Sequence, residues 1–377
     1  MKVSLSRPEI DLKEFKEVKK VLKNKWLING PNVKFFENKF KKKFNYKYSA
    51  SVSSCTSGLE LVLKTLKLKK NDEVILSSFN FIAAGIAIKK NQAKLIFIDQ
   101  KKNSFEIDFE DLKKKINSKT KAILLTHFNG YLQNSIGIRN LIKKTKHKIF
   151  FLEDCAHVLA AEHKKNIYSG SYSDAAVFSF GPTKMITSGG MGGMVISKHK
   201  ELIKQINILK SFGMDKSAYN RKSDKKNWEY NIQSIGANYR MTEIQAAFGL
   251  EQLKKVNYFK SKKNQISRFY QKNLNNKELF FQSSNFTYSC ALIYFQIIFR
   301  KTKLRDLIAN HLNKNKIGIS VHWDPILEKH DIFKSKKFCK NSYDLSKKIL
   351  SIPLYPSLKI MSLKLVFVEF IILILPV

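Results

Sequence analysis

Seven short apolar runs, separated by amphipathic lysine-rich stretches, predict an α/β protein: a large domain with a mostly parallel seven-stranded sheet between helices, then a smaller α+β C-terminal domain. Three observations carry this. Strand-like and helix-like periods alternate up to about Thr242, one long helical pattern replaces them afterwards, and 377 residues suffice for two domains.

The expected strands are 50–53, 73–77, 93–98, 122–126, 149–153, 175–179 and 193–197, in the order expected of a parallel sheet. Helical patterns lie between them at 56–66, 80–89, 108–115 and 136–144. After Thr242 the run EIQAAFGLEQLKKV continues as helix through Lys272, and a boundary near Val256 divides the chain into 1–255 and 256–377. Strands are expected in the second part near 291–299 and 317–322. No internal repeat or low-complexity linker interrupts the pattern.

Composition narrows the function. Cys55, Cys155, Cys290 and Cys339 share no short spacing, which speaks against a zinc site or a disulfide framework and for a reducing cytoplasm. The opening MKVSLSRPEIDLKEF has no apolar core of a secretory signal. A net charge of +39 raises the possibility of nucleic-acid binding, yet only seven of the 69 basic residues are arginine and the lysines are scattered. No specific nucleic acid is expected. What remains is a general positive field that steers small anions towards a cleft.

Three segments carry chemistry. In DAAVFSFGPTKMITSGGMGGMV, an apolar strand ends at Ser179 and a Gly-Pro break leads to Lys184, which precedes a glycine cluster. A lysine desolvated there has a lowered pKa and condenses with an aldehyde. In FLEDCAH, Asp154 ends a strand at the edge where open α/β sheets place ligands, so it could keep a pyridinium nitrogen protonated or simply cap the next helix. In SSCTSG, hydroxyl residues open a helix whose N-terminal amides suit a phosphate, although capping alone would explain Thr56 or Ser57. Lysine, acid and phosphate cup together point to pyridoxal 5'-phosphate.

Ordered blocks extend that reading. LSRPEI, WLINGPNVKFFENKF, SSCTSGLEL, SSFNFIAAGIAI, FIDQ, THFNG, EDCAH, FSFGPTK, GGMGGMV, GANYRMTEIQAA and IPLYPSL are similar, in order, to blocks of the DegT/DnrJ family of nucleotide-sugar aminotransferases, over residues 3–357. The resemblance implies a fold type I pyridoxal-phosphate transferase in which Lys184 carries the cofactor as a Schiff base and shuttles the proton. It implies that Asp154 pairs with the pyridine nitrogen, His157 contacts the phenolic oxygen, and Phe81 stacks on the ring. Thr56, Ser57 and Ser179 would bind the phosphate, with Asn238 reaching it from the neighbouring subunit of a homodimer and Arg240 beside it. Asn29, Tyr131 and His322 fall in blocks that line the sugar side.

The implied reaction moves an amino group from an amino acid, glutamate by expectation, to a keto group of a nucleotide-linked deoxysugar in ping-pong order. Alternatives are a dehydratase of the same family, whose members replace the lysine, or a non-catalytic member. Two departures stand out. Cys55 precedes Thr56 where the family usually has glycine, and the end, LKIMSLKLVFVEFIILILPV, does not resemble the family. It is too short for a membrane span and apolar on every face, so it reads as a buried last element or the product of a shifted reading frame, the latter favoured.

Overall fold

A computed structural model describes residues 2–215, 226, 228–274, 276–282, 285–335 and 338–373. The chain opens with helices α1 (Leu12–Asn24) and α2 (Pro31–Lys43), then β1 (Tyr48–Val52), α3 (Cys55–Thr65), β2 (Glu73–Ser77), α4 (Ile82–Lys90), β3 (Lys94–Ile98), α5 (Phe109–Lys115), β4 (Thr120–Thr126), α6 (Ser135–Lys144) and β5 (Phe150–Asp154). A short hairpin follows, β6 (Glu162–Lys164) and β7 (Ile167–Tyr168), then β8 (Ala175–Ser179), β9 (Gly193–Ser197) and α7 (Lys200–Leu209). The seven expected strands form one sheet in the order β1-β9-β8-β5-β4-β2-β3, in which only β9 runs against its neighbours. Every residue of β2 and β9 is buried, as helices on both faces require.

The long helix α8 (Glu243–Asn273) starts at a capping box in which Thr242 accepts from the Gln245 amide and Gln245 reaches back. Its first half packs Ala246, Leu250, Leu253, Val256 and Phe259 with Phe36 and Phe40 of α2, and its second half sends Ile266 and Tyr270 into the core of the C-terminal part. It therefore runs unbroken through Val256. The N-terminus crosses over as well: Val3 lies in that second core and bridges Ile317.

The C-terminal part adds β10 (Leu279–Phe280), β11 (Phe295–Phe299), α9 (Thr302–Lys314), α10 (Lys340–Lys348), β12 (Ile349–Ile352) and α11 (Ile360–Ile371). Its antiparallel sheet has the order β10-β11-β12. The strand expected at 317–322 does not form. Ile317 bridges Val3 and Ser320 bridges Ser351, each singly, so the alternating apolar pattern lines the core without a ladder. Its place in the sheet is taken by β12.

The end of the chain is a helix packed on the C-terminal core. Leu363, Val366 and Phe370 form one buried stripe, and Glu369 pairs with His311 of α9 at 2.8 Å. The apolar residues that blurred the period, Met361 and Val368 among them, are exposed. One face of this last helix therefore lies in the core and the other in solvent. No helix of the described residues is long and apolar enough to cross a membrane.

Candidate active site

The carboxyl edge of the large sheet gathers three elements. β5 ends at Asp154, β8 ends at Ser179 and leads through a turn closed by Lys184 N to Gly181 O (3.1 Å), and α3 begins at Cys55. Ser54 and Ser57 cap α3 reciprocally: the Ser57 amide donates to Ser54 Oγ (3.1 Å) and the Ser54 amide to Ser57 Oγ (3.0 Å). The Ser57 hydroxyl also donates to Ser54 O (2.8 Å), so it is committed to the cap. The Cys55 and Thr56 amides and the Thr56 hydroxyl are what the cap leaves open to an anion. Glycine at 193 lets β9 lie against this turn, since a Cβ there would stand 2.7 Å from Ser54 C and 2.8 Å from Cys55 N.

Electrostatics ties Lys184, Asp154, Cys55, His157 and His322 into one site. Burial pushes the Lys184 ammonium below its ordinary value, with Cys55 and Asp154 pulling the other way. Burial raises the Asp154 carboxyl, opposed by the Ala156 amide and Lys184. His157 is driven well down by burial, Lys184 and His322, and burial with Lys184 takes His322 to about 4. Both imidazoles are thus neutral near pH 7.

The surrounding wall is aromatic. Phe128 lies 5.6 Å from the His157 ring, Trp323 5.8 Å, and Tyr294 6.3 Å from His157 and 4.9 Å from His322. His322 Nδ1 is 2.9 Å from Ser351 Oγ, which anchors it to β12. Tyr294 also bonds Thr183. Phe128, Trp323, Tyr294 and Thr183 are absent from the sequence-based candidates. Phe128 lies inside THFNG, Thr183 inside FSFGPTK, and Trp323 follows His322, so all three were reachable that way; Tyr294 has no local signal.

Among the described residues, no hydrogen bond or ring contact joins the other candidates to the Lys184 side chain. Asn238 is exposed, its Oδ1 accepts from Arg240 Nε (2.9 Å), and its backbone bridges Ser211. Arg240 stands over the Phe212 ring at 5.3 Å. Asn29 shares a cleft of about 460 Å³ with Ser211, Lys210 and Glu37, and Lys184 does not line it. Exposed Leu27, Ile28, Ile232 and Ile235 belong to the segments around these residues. Phe81 caps α4 half in solvent, at 52% exposure. Tyr131 packs against the C-terminal core, and burial raises its hydroxyl pKa. Ser179 Oγ accepts only a long bond from Gly181 N, at 3.5 Å.

Behind the site, His127, Glu153 and Cys155 bring ligand-type atoms within 4.8 Å of one another. The Gln133 amide donates to His127 Nδ1 at 3.0 Å, which places the ring proton on Nε2, directed at Glu153 3.4 Å away. That leaves no imidazole lone pair for a metal. His127 Nε2 and both Glu153 oxygens are buried and make no hydrogen bond among the described residues.

The donor set fits pyridoxal phosphate. It offers an amine of lowered basicity, a carboxylate beside it, open helix-start amides and the buried, unpartnered Nδ1 of His157. Comparisons with known proteins agree in outline. The profile of the DegT/DnrJ/EryC1/StrS aminotransferase family matches residues 8–370, past Ser357 and into α11. GDP-perosamine synthase of Escherichia coli O157:H7 is 32% identical over 94% of this chain and 94% of its own. Helicobacter pylori PseC, an aminotransferase involved in the biosynthesis of pseudoaminic acid, superposes with a TM-score of 0.90 over 99% of both chains at 26% identity. Streptococcus pneumoniae Spr1654, solved in a PLP form, gives 0.89 over 98% of both chains at 23% identity, a likeness of fold.

Proposed function

The chain belongs to the DegT/DnrJ/EryC1/StrS aminotransferase family, and from that premise we propose that it is a pyridoxal-phosphate-dependent transaminase acting on a nucleotide-linked keto-deoxysugar, with glutamate as donor. The observation that carries this is Lys184, desolvated beside Asp154 at the ligand edge of the sheet. When bound, the cofactor supplies an electron sink.

The residues divide the remaining work. Lys184 would hold the cofactor through Nζ, and its lowered basicity suits that atom to take and return a proton. Asp154 holds a proton at the ring nitrogen. The Cys55 and Thr56 amides, with Thr56 Oγ and Ser179 Oγ, receive the phosphate. Neutral His157 and His322 give and accept hydrogen bonds without charge, while Phe128 and Trp323 exclude water. The net positive charge draws anionic sugar nucleotides in. A dehydratase is the weaker reading because Lys184 is retained.

We further read the working unit as a cytoplasmic homodimer. Asn238, Arg240 and Asn29 lie on an outer face with exposed apolar side chains, where they would complete a partner's site. Phe81 would stack on the ring, and Tyr131 would act indirectly, through the wall it packs behind. Borohydride reduction and peptide mapping of the loaded protein should place the pyridoxyl group on Lys184, and incubation with glutamate and keto-sugar nucleotides should yield an amino sugar by mass. A label elsewhere, or no aminated product, overturns the reading. Mixed Lys184→Ala and Asn238→Asp chains should regain part of the activity; exchange without recovery refutes the shared site.

A further inference from the structure

We propose that Cys55 is a positioning residue for Asp154: its thiol occupies Oδ1, so that Oδ2 alone is presented to the ring of the cofactor. The inference rests on the cofactor reading above and concerns a position where the resemblance leads one to expect glycine, which has no side-chain donor.

The contacts are few and one-sided. Cys55 Sγ lies 3.7 Å from Asp154 Oδ1, and the Ala156 amide donates to the same oxygen at 3.0 Å. Among the described residues no hydrogen bond reaches Oδ2. Sγ is also 3.8 Å from Val177 O, a carbonyl on β8 that competes for the single thiol proton, and the acid is the nearer acceptor. A thiol donates only while protonated. A helix start favours the thiolate, but burial and the facing Asp154 outweigh it and push Cys55 well up, with Lys184 the lesser opposing influence. The S–H is therefore retained at neutral pH.

Two donors on one oxygen fix the carboxylate plane. With a single donor, Asp154 is freer to rotate and to share charge with Lys184, whose amine must stay uncommitted to condense. The thiol thus separates the two partners electrostatically while both face one cavity.

The test compares the full-length wild type with Cys55→Ala and Cys55→Ser, each loaded with pyridoxal phosphate. The readouts are the pH dependence of the bound cofactor's visible absorption, the cofactor Kd, and turnover split into kcat and KM. In Cys55→Ala the absorption midpoint should move by about half to one pH unit and the Kd should rise about threefold to tenfold, the scale of one net hydrogen bond. Cys55→Ser keeps a donor and should restore both. A Cys55→Ala midpoint and Kd equal to wild type, or a serine variant matching alanine, overturns the proposal. Should Cys55→Ala not fold, Cys55→Gly replaces it in the same comparison. Failure of the wild type to take the cofactor on Lys184 is a separate result and sinks the cofactor reading instead.

Discussion

Glu153 and Asp154 are adjacent on β5, both buried, and point to opposite sides of the strand. Behind the sheet, burial raises Glu153, but His127, whose Nε2 lies 3.4 Å from Glu153 Oε1, with smaller help from His163 and Ser135, brings it below its ordinary value. In front, Asp154 has one oxygen bound and none of the described residues bonds the other, and burial wins, so its carboxyl is raised. The same backbone thus offers two acids, and what separates them is whether an imidazole stands near enough to offset burial. Glu153 has one and keeps its charge without a ligand, although neither of its oxygens makes a hydrogen bond among the described residues. For Asp154 charge stays costly until a ligand arrives, which is the condition for binding one.

The largest test of this contrast is activity. Asp154→Asn should keep the fold and lose transamination by roughly a thousandfold, the scale of removing a preorganised electrostatic partner, whereas Glu153→Gln should keep turnover within about tenfold. Equal losses in kcat would erase the distinction between the two sides. Next comes stability. Glu153 is lowered in the folded state, so its ionised form adds stability above the ordinary value of 4.5, lost as pH falls through the folded value. Glu153→Gln should therefore cost about 1–3 kcal/mol in urea unfolding at pH 7, and less at pH 4. The smallest effect has the opposite sign. Asp154 is raised, so the cofactor-free protein is favoured below the ordinary value of 3.8 and loses that favour as pH rises through the folded value. Asp154→Asn without cofactor should then be more stable at pH 7 by ~1 kcal/mol, and a destabilised variant would show the acid's charge to be satisfied.

The same contrast governs how much the sequence discloses. All seven strands of the large sheet, and helices starting at Cys55 and Glu243, announce themselves through apolar runs and capping residues, because local patterning decides them. Lys184, Asp154, His157 and His322 are legible through motif setting, and the structure brings them together. Tyr294 is not, since it joins His157 and His322 only when β11 and the segment before it fold against the sheet's edge. Segment 317–322 misleads for a related reason: alternation records which side chains are buried and cannot reveal whether a neighbouring strand is there to pair with. The exposed Asn238 and the half-buried Asn29 stay outside this group, and nothing in the contacts of one chain explains why the resemblance singles them out.

The helix α8 settles how the two walls of the cavity are held. Near its middle, Gln252 Oε1 accepts from Thr187 N at 3.5 Å, in the turn beyond Lys184, while Tyr270 near its far end stacks against Phe295 of β11 at 4.7 Å, next to the strand that anchors His322. One rod runs along both cores. The spacing between the lysine wall and the histidine wall is thus a fixed gauge, and a substrate must be admitted by local rearrangement of loops and side chains, since a bend at the middle of the rod would pull apart the two cores packed along it.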